Sequence, residues 1–208
     1  MLSKEILKAH YREYSNQKNS WVENMAKTKL SILKQVFREI FFEPKGPVNI
    51  AVLGASDKRY IVIHERIFRE LFGKDISLVT FDIDTDHLGK LPGTILHDVT
   101  LPFPYGPYDV VFSHALMKFL THDEQLKVIK NSFNALKDNG VSMHIMHSPE
   151  LTGTKELRVW QQRVDLDLIL QKLRENTIKV KILQFKSESL VDWLRDTTVL
   201  IAQKTLIT

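Results

Sequence analysis

Residues 48–82 read VNIAVLGASDKRYIVIHERIFRELFGKDISLVTFD, and this stretch decides the fold. Val48–Leu53 is a short apolar run ending at Gly54, the mark of a strand buried on both faces. Ile61–Phe72 has helical periodicity, with Gly73 as its stop. Ile76–Phe81 is a second buried strand and ends in Asp82-Ile83-Asp84. Two buried strands joined by a helix form a crossover, which sets them parallel.

The alternation continues towards the C-terminus. Thr94–His97 and Tyr108–Ser113 read as further strands, and Asp123–Leu136 as a helix closed by Asp138-Asn139-Gly140. Val141–His147 is a fifth strand, and Glu156–Glu175 reads as one long helix. Ile178–Phe185 and Thr198–Gln203 are two last strands around a short helix, Glu188–Arg195, close enough in sequence to pair antiparallel. Strands separated by helices imply a doubly wound α/β sheet covered on both faces. Ahead of it, residues 3–42 read as helix in two pieces, punctuated by Pro44-Lys45-Gly46-Pro47. The expected organisation is a helical extension over 1–46 and a main domain over 47–208.

Composition narrows the function classes. The 208 residues are 43% apolar and 26% charged, which is globular composition, and the chain has no cysteine. That removes disulfides, thiolate metal sites and cysteine nucleophiles. No apolar run reaches the ~18 residues that span a bilayer, and the charged N-terminus has no secretory apolar stretch. A soluble, cytoplasmic protein without membrane partners is expected. Residues 1–46 hold nine Lys/Arg against five Asp/Glu and so carry the whole net charge of +4. This is too dilute for a dedicated nucleic-acid binder.

In a parallel sheet, ligands bind beyond the carboxyl ends of the strands, so the residues after each strand carry the functional reading. Gly54-Ala55-Ser56 opens a turn whose free amides suit an anion. The same residues also suit an ordinary turn in which Ser56 or Asp57 caps the helix. Asp82 can accept hydrogen bonds from both hydroxyls of a ribose. The acidic run Asp82, Asp84, Asp86 lacks the glycine and glutamate of a calcium loop. His144 and His147, three apart in a strand, fall on opposite faces, so no metal is expected. His147 and His114 end their strands on the ligand side and are candidate general bases near neutral pH. Tyr11, Tyr14 and Trp21 either cap the mouth of a site as a lid or pack on the main domain.

The order of these features continues through His97-Asp98-Val99-Thr100-Leu101-Pro102-Phe103-Pro104, YDVVFSHALMKFL at 108–120 and the Asn139-Gly140 turn. Taken together it resembles the class I S-adenosylmethionine-dependent methyltransferases over roughly residues 48–204. The resemblance implies a Rossmann-like, mostly parallel seven-stranded sheet whose last strand is antiparallel and lies beside the fifth. It implies S-adenosylmethionine as cofactor, with Gly54, Ala55 and Ser56 in the cofactor loop, and Asp82 with Ile83 at the ribose. By the same resemblance Asp98 meets the adenine amine with Val99 beside the ring, and Ser113 and His114 face the methionine part and the reacting methyl. The loop departs from the family pattern: Val52 stands in place of the acid of strand one, and Ser56 and Lys58 replace two glycines. Asp57 or Glu65 are the substitutes for that acid, and Lys58 or Arg59 the partners for the cofactor carboxylate.

Three functions compete on this reading. The first is a methyltransferase, with a small-molecule acceptor favoured by the neutral main body and RNA or protein acceptors left open. The second is a catalytically silent Rossmann-like binding or scaffold module with a degenerate cofactor loop. The third, a nicotinamide oxidoreductase, needs Gly-x-Gly-x-x-Gly, of which GASDKR supplies only the first glycine. The oligomeric state is not readable from the sequence.

Overall fold

Val48–Leu53 (β1) is paired on both sides, parallel to Ile76–Asp82 (β2) from Val48↔Ile76 to Leu53↔Phe81 and parallel to Tyr108–His114 (β4) from Ile50↔Val110 to Leu53↔Ser113. These pairings come from a computed structural model, which describes residues 4–73, 75–153, 157–158, 160–176, 178–186 and 196–204. The remaining strands are Thr94–Leu96 (β3), Leu136–His147 (β5), Val180–Lys186 (β6) and Asp196–Gln203 (β7). They form one seven-stranded sheet in the order β3-β2-β1-β4-β5-β7-β6. β7 is antiparallel to both β5 and β6. Strand order reverses between β1 and β4, so the carboxyl ends of these two strands frame the crevice where ligands bind in such sheets.

The helices are Lys4–Ser15 (α1), Asn19–Glu39 (α2), Lys58–Phe72 (α3), His122–Asn134 (α4), Ser148–Thr152 (α5) and Leu166–Glu175 (α6). On one face of the sheet, Val22, Leu33 and Val36 of α2 and Ile67 and Phe68 of α3 pack on Ile50, Val52, Val110 and Phe112. The N-terminal helix α2 therefore shares one core with the sheet. On the other face, Val128 and Ile129 of α4 and Ile169 and Leu173 of α6 cover Leu53, Val111 and Leu200. Local sequence explains the helix ends. Asp57 accepts the Arg59 amide at the start of α3, Gly73 ends it at φ 89°, and Thr121 with Glu124 closes a capping box on α4.

Two expectations change. Among the described residues, the helix read over Glu156–Glu175 is found at Leu166–Glu175, because Asp165 caps it there and the Gln162 and Val164 amides ahead of it bond elsewhere. The Gln162 amide donates to the Lys118 carbonyl and the Val164 amide to the Glu150 carbonyl, 2.8 and 2.7 Å away. The turn at Asp138-Asn139-Gly140 is an irregularity inside β5, where pairing jumps from Tyr108↔Leu136 to Val110↔Val141. A Cβ on Gly140 would stand 2.9 Å from the carbonyls of both Lys137 and Tyr108, so only glycine fits this crossing. The short helix read over Glu188–Arg195 lies outside the described residues.

Candidate active site

At the carboxyl end of β1 the chain turns at Gly54, whose φ of 76° suits glycine and whose amide donates to the Phe81 carbonyl at 2.7 Å. This turn presents the next amide, of Ala55, to Asp82 Oδ2 at 2.8 Å. Asp82 is 5% exposed at the end of β2. Its Oδ1 accepts from the Asp84 amide and from the hydroxyl of Tyr11, each at 3.2 Å. The Tyr11 ring lies flat on His87, centroids 3.5 Å apart, and His87 Nε2 donates to the Ala55 carbonyl at 2.7 Å. Burial raises the Asp82 pKa above the usual carboxylate value, against the opposing pull of the Ala55 amide and His87.

The two histidines expected at the ligand side of β4 and β5 meet. His114 Nε2 and His147 Nε2 are 2.8 Å apart, so one ring donates and the other accepts. Burial holds both below the ordinary histidine value, His147 at about 3. Lys118, on the turn after β4, adds to the effect in both and Lys29 likewise.

Gly54, Ala55, Ser56, Asp82, Ile83, Asp98, Val99, His114 and His147 all line a single cavity of about 160 Å³. Asp98 Oδ1 is anchored by the amide and hydroxyl of Thr100, at 2.9 and 2.8 Å. Ser113 does not line the cavity. It is 1% exposed on the opposite face of β4, with its hydroxyl 2.8 Å from Nδ1 of the buried His144. None of the four residues read as stand-ins around the cofactor's methionine end is free for that task except Lys58, which is exposed. Val52 is buried in the core. Glu65, itself exposed, pairs with Arg69. Asp57 is paired with Arg59, and Arg59 also donates to the Tyr14 and Gln17 carbonyls, each at 2.8 Å. Arg59 thereby ties the end of α1 to the start of α3.

Sequence reasoning missed part of the lining. Lys29 and His64 face each other at 2.7 Å and are each 3% exposed. Both sit on the apolar stripes of their helices, Lys29 in step with Val22, Met25, Leu33 and Val36, and His64 in step with Tyr60, Ile67 and Phe68. A polar residue in such a stripe was the available signal. The Tyr11–Asp82 bond joins residues 71 apart and has no local signal.

Neither a known family profile nor a curated protein matches the sequence. Solved structures do match in three dimensions. The N-methyltransferase NodS from Bradyrhizobium japonicum WM9, crystallised with S-adenosyl-L-homocysteine, superposes with a TM-score of 0.60 at 10% identity, over 96% of this chain and 97% of that one. The chain has the fold of the class I methyltransferases. A TehB-like S-adenosylmethionine-dependent methyltransferase from Corynebacterium glutamicum matches at TM-score 0.59 and 16% identity, over 95% of this chain and all of that one. A class I enzyme so described from Listeria monocytogenes matches at 0.58 and 14%, over 89% of this chain, which spans 60% of that one. The methyltransferase fold explains the sheet order with its antiparallel last strand. Within it the nucleoside end of a cofactor fits the residues present, because a buried carboxylate, Asp82, faces the cavity beside Val99 and the Gly54 turn, where an added Cβ would meet the Leu116 side chain at 3.4 Å. Among the described residues, no group of histidine and acidic side chains can hold a metal ion, and no helix is long and apolar enough to cross a membrane.

Proposed function

We propose that this protein is an S-adenosylmethionine-dependent methyltransferase acting on a small-molecule acceptor. The observation that carries this reading is the Asp82 carboxylate, buried at the end of β2 and turned into the cavity beside the Gly54 turn. When bound, S-adenosylmethionine supplies a methyl group already activated by its sulfonium. The chain's residues then have to hold, align and keep dry. Asp82 would accept from the ribose diol, Gly54, Ala55 and Ser56 would line the approach, and Asp98 with Val99 would take the adenine. Alignment of this kind can lower a barrier by roughly 7–11 kcal/mol. His114, hydrogen-bonded to His147, would take the acceptor's proton where the acceptor has one to lose.

The helix α1 would act as a lid. Leu7, His10, Tyr11 and Tyr14 line the cavity, and about 160 Å³ is below the ~300–1,000 Å³ of ordinary ligand pockets. Admitting a nucleoside therefore requires the Tyr11 hydroxyl to leave Asp82. The test is calorimetric titration of the whole chain with S-adenosyl-L-homocysteine, in wild type and Asp82→Ala. Two charge-assisted bonds at about 1.5–3 kcal/mol each predict at least a tenfold loss of affinity per folded molecule, with melting curves alongside because the substitution also removes the partner of the Ala55 amide and the Tyr11 hydroxyl. Equal affinity in the two proteins overturns the cofactor reading.

A further inference from the structure

One wall of the cavity is cationic without a matching acid. Lys29 projects from the buried stripe of α2, 3% exposed, and donates to His64 Nε2 at 2.7 Å. Its ammonium lies 4.8 Å from the ring centre of Tyr60 and 5.7 Å from that of Phe112, whose faces attract a cation while burial opposes it. Among the described residues no carboxylate comes within 4.0 Å of it. His64 Nδ1, also buried, has no partner there. Lys118, 9% exposed on the turn after β4, lines the same cavity. A buried ammonium without a counter-ion is strongly unfavourable, and a well-packed apolar side chain at position 29 would avoid that. The acids that line the cavity include Asp82 and Asp98, at the ends of β2 and β3, which the nucleoside reading already uses.

We infer that the methyl acceptor is a small carboxylate whose anionic group docks on Lys29, with the His114–His147 pair beside it at the ends of β4 and β5. The choice of acceptor over cofactor rests on this neighbourhood. Lys29 is close enough to His114 and His147 to act electrostatically on both, and these are the residues facing the reacting end of the site. A carboxylate there would offset the repulsion that Lys29 adds to the effect of burial on the two imidazoles, and so strengthen them as bases. The whole cavity, nucleoside end included, is about 160 Å³, close in size to a void that holds benzene, ~150 Å³, so a ring-sized acid added without cofactor is a fitting probe of the Lys29 wall. The word acceptor rests on the methyltransferase reading; the anion site itself does not.

The experiment uses the full chain and benzoate as the probe, with neutral benzamide as its isostere. S-Adenosyl-L-homocysteine and 5′-methylthioadenosine, which lacks the amino-acid end, are titrated alongside. Wild type should bind benzoate at least tenfold tighter than benzamide, and Lys29→Met should lose that preference. Its affinity for S-adenosyl-L-homocysteine should stay within about twofold. A readout on wild type alone covers the case of a misfolded variant. Lys29, held at about 7 by burial and faced by His64 and Tyr60 from α3, His114 from β4 and His147 from β5, loses its proton as the pH rises. Benzoate affinity should therefore fall between pH 6 and 8.5. Equal binding of benzoate and benzamide, no binding of benzoate, or pH-independent binding overturns the inference. So does a Lys29→Met protein that loses S-adenosyl-L-homocysteine but keeps methylthioadenosine, since Lys29 would then hold the cofactor's own carboxylate. Lys29-dependent benzoate binding in a chain that binds no S-adenosyl-L-homocysteine keeps the anion site and removes the methyltransferase reading.

Discussion

Tyr11 and His114 carry opposite predictions, because one obstructs the site and the other would work in it. The Tyr11 hydroxyl occupies Asp82 Oδ1, so a ribose hydroxyl must displace it. Tyr11→Phe should tighten S-adenosyl-L-homocysteine several-fold, up to the roughly tenfold that a ~1.5 kcal/mol bond to a charged group allows. Calorimetry that shows weaker binding would instead make the hydroxyl a cofactor contact. His114→Ala should leave that affinity unchanged and lower methyl transfer by about 10²–10⁴-fold, the usual range for a lost acid–base group; undiminished turnover rules out the base. At this scale the sequence was informative wherever position along a strand determines direction. Asp82 and His114 reach the cavity because both end strands on the ligand side. Ser113, one residue earlier than His114, points to the other face for the same reason. His87 was not legible, because its role depends on which helix lies across from it, and Lys29 was marked only as a polar residue in an apolar stripe.

Among the elements, buried strands were the most legible. Val48–Leu53 and Ile76–Phe81 are largely apolar runs closed by turn residues, and each appears as a strand; Val48–Leu53 is buried except at Asn49, whereas in β2 only Thr80, Phe81 and Asp82 are buried and Ser77 is exposed. The antiparallel pair at the end was open to reading because too little chain joins its strands for a crossover. Helical periodicity held over 166–175 but misled over the described residues ahead of Asp165, where Gln162 and Val164 spend their amides on carbonyls of Lys118 and Glu150. Those are tertiary partners that no local pattern announces. The N-terminal helix is the element with the most consequence for function. Glu13 of α1 pairs with Arg158, His10 stands 3.3 Å from the Ser56 hydroxyl, and Arg59 grips the carbonyls at its end. A chain lacking residues 1–16 should bind S-adenosyl-L-homocysteine as well as or better than the full chain, since Tyr11 is gone. Its methyl transfer should drop more than tenfold, because water then enters the site. Normal transfer by the shortened chain would show that α1 is only packing.

Across the whole molecule, the burial of so many imidazoles makes stability depend on pH. His10 is held at about 4, His144 and His147 at about 3, and His64 and His114 well below their ordinary value, with burial the leading cause in each. Each stays neutral in the fold but takes up a proton in the unfolded chain once the pH drops below about 6.5. The unfolded state then binds more protons, so stability falls with the pH, by about 1.4 kcal/mol per unit for each fully developed group. Asp82 and Glu150 act in the other direction. Burial raises both, so the fold binds their protons first and recovers part of the loss while they titrate. Two groups cannot offset five, and a domain's whole stability is about 5–15 kcal/mol. The chain should be most stable above pH 7, where the loss of the Lys29 proton also relieves a buried charge, and should unfold between roughly pH 5.5 and 4. Melting curves from pH 8 to 4 test this, together with His144→Gln, which removes one titrating ring that does not line the cavity. That variant should flatten the acid limb whatever it does to stability at pH 8. A melting temperature that stays level down to pH 4 would mean that these imidazoles are protonated in the fold, and neither the His114–His147 pair nor the cationic wall could then be as described.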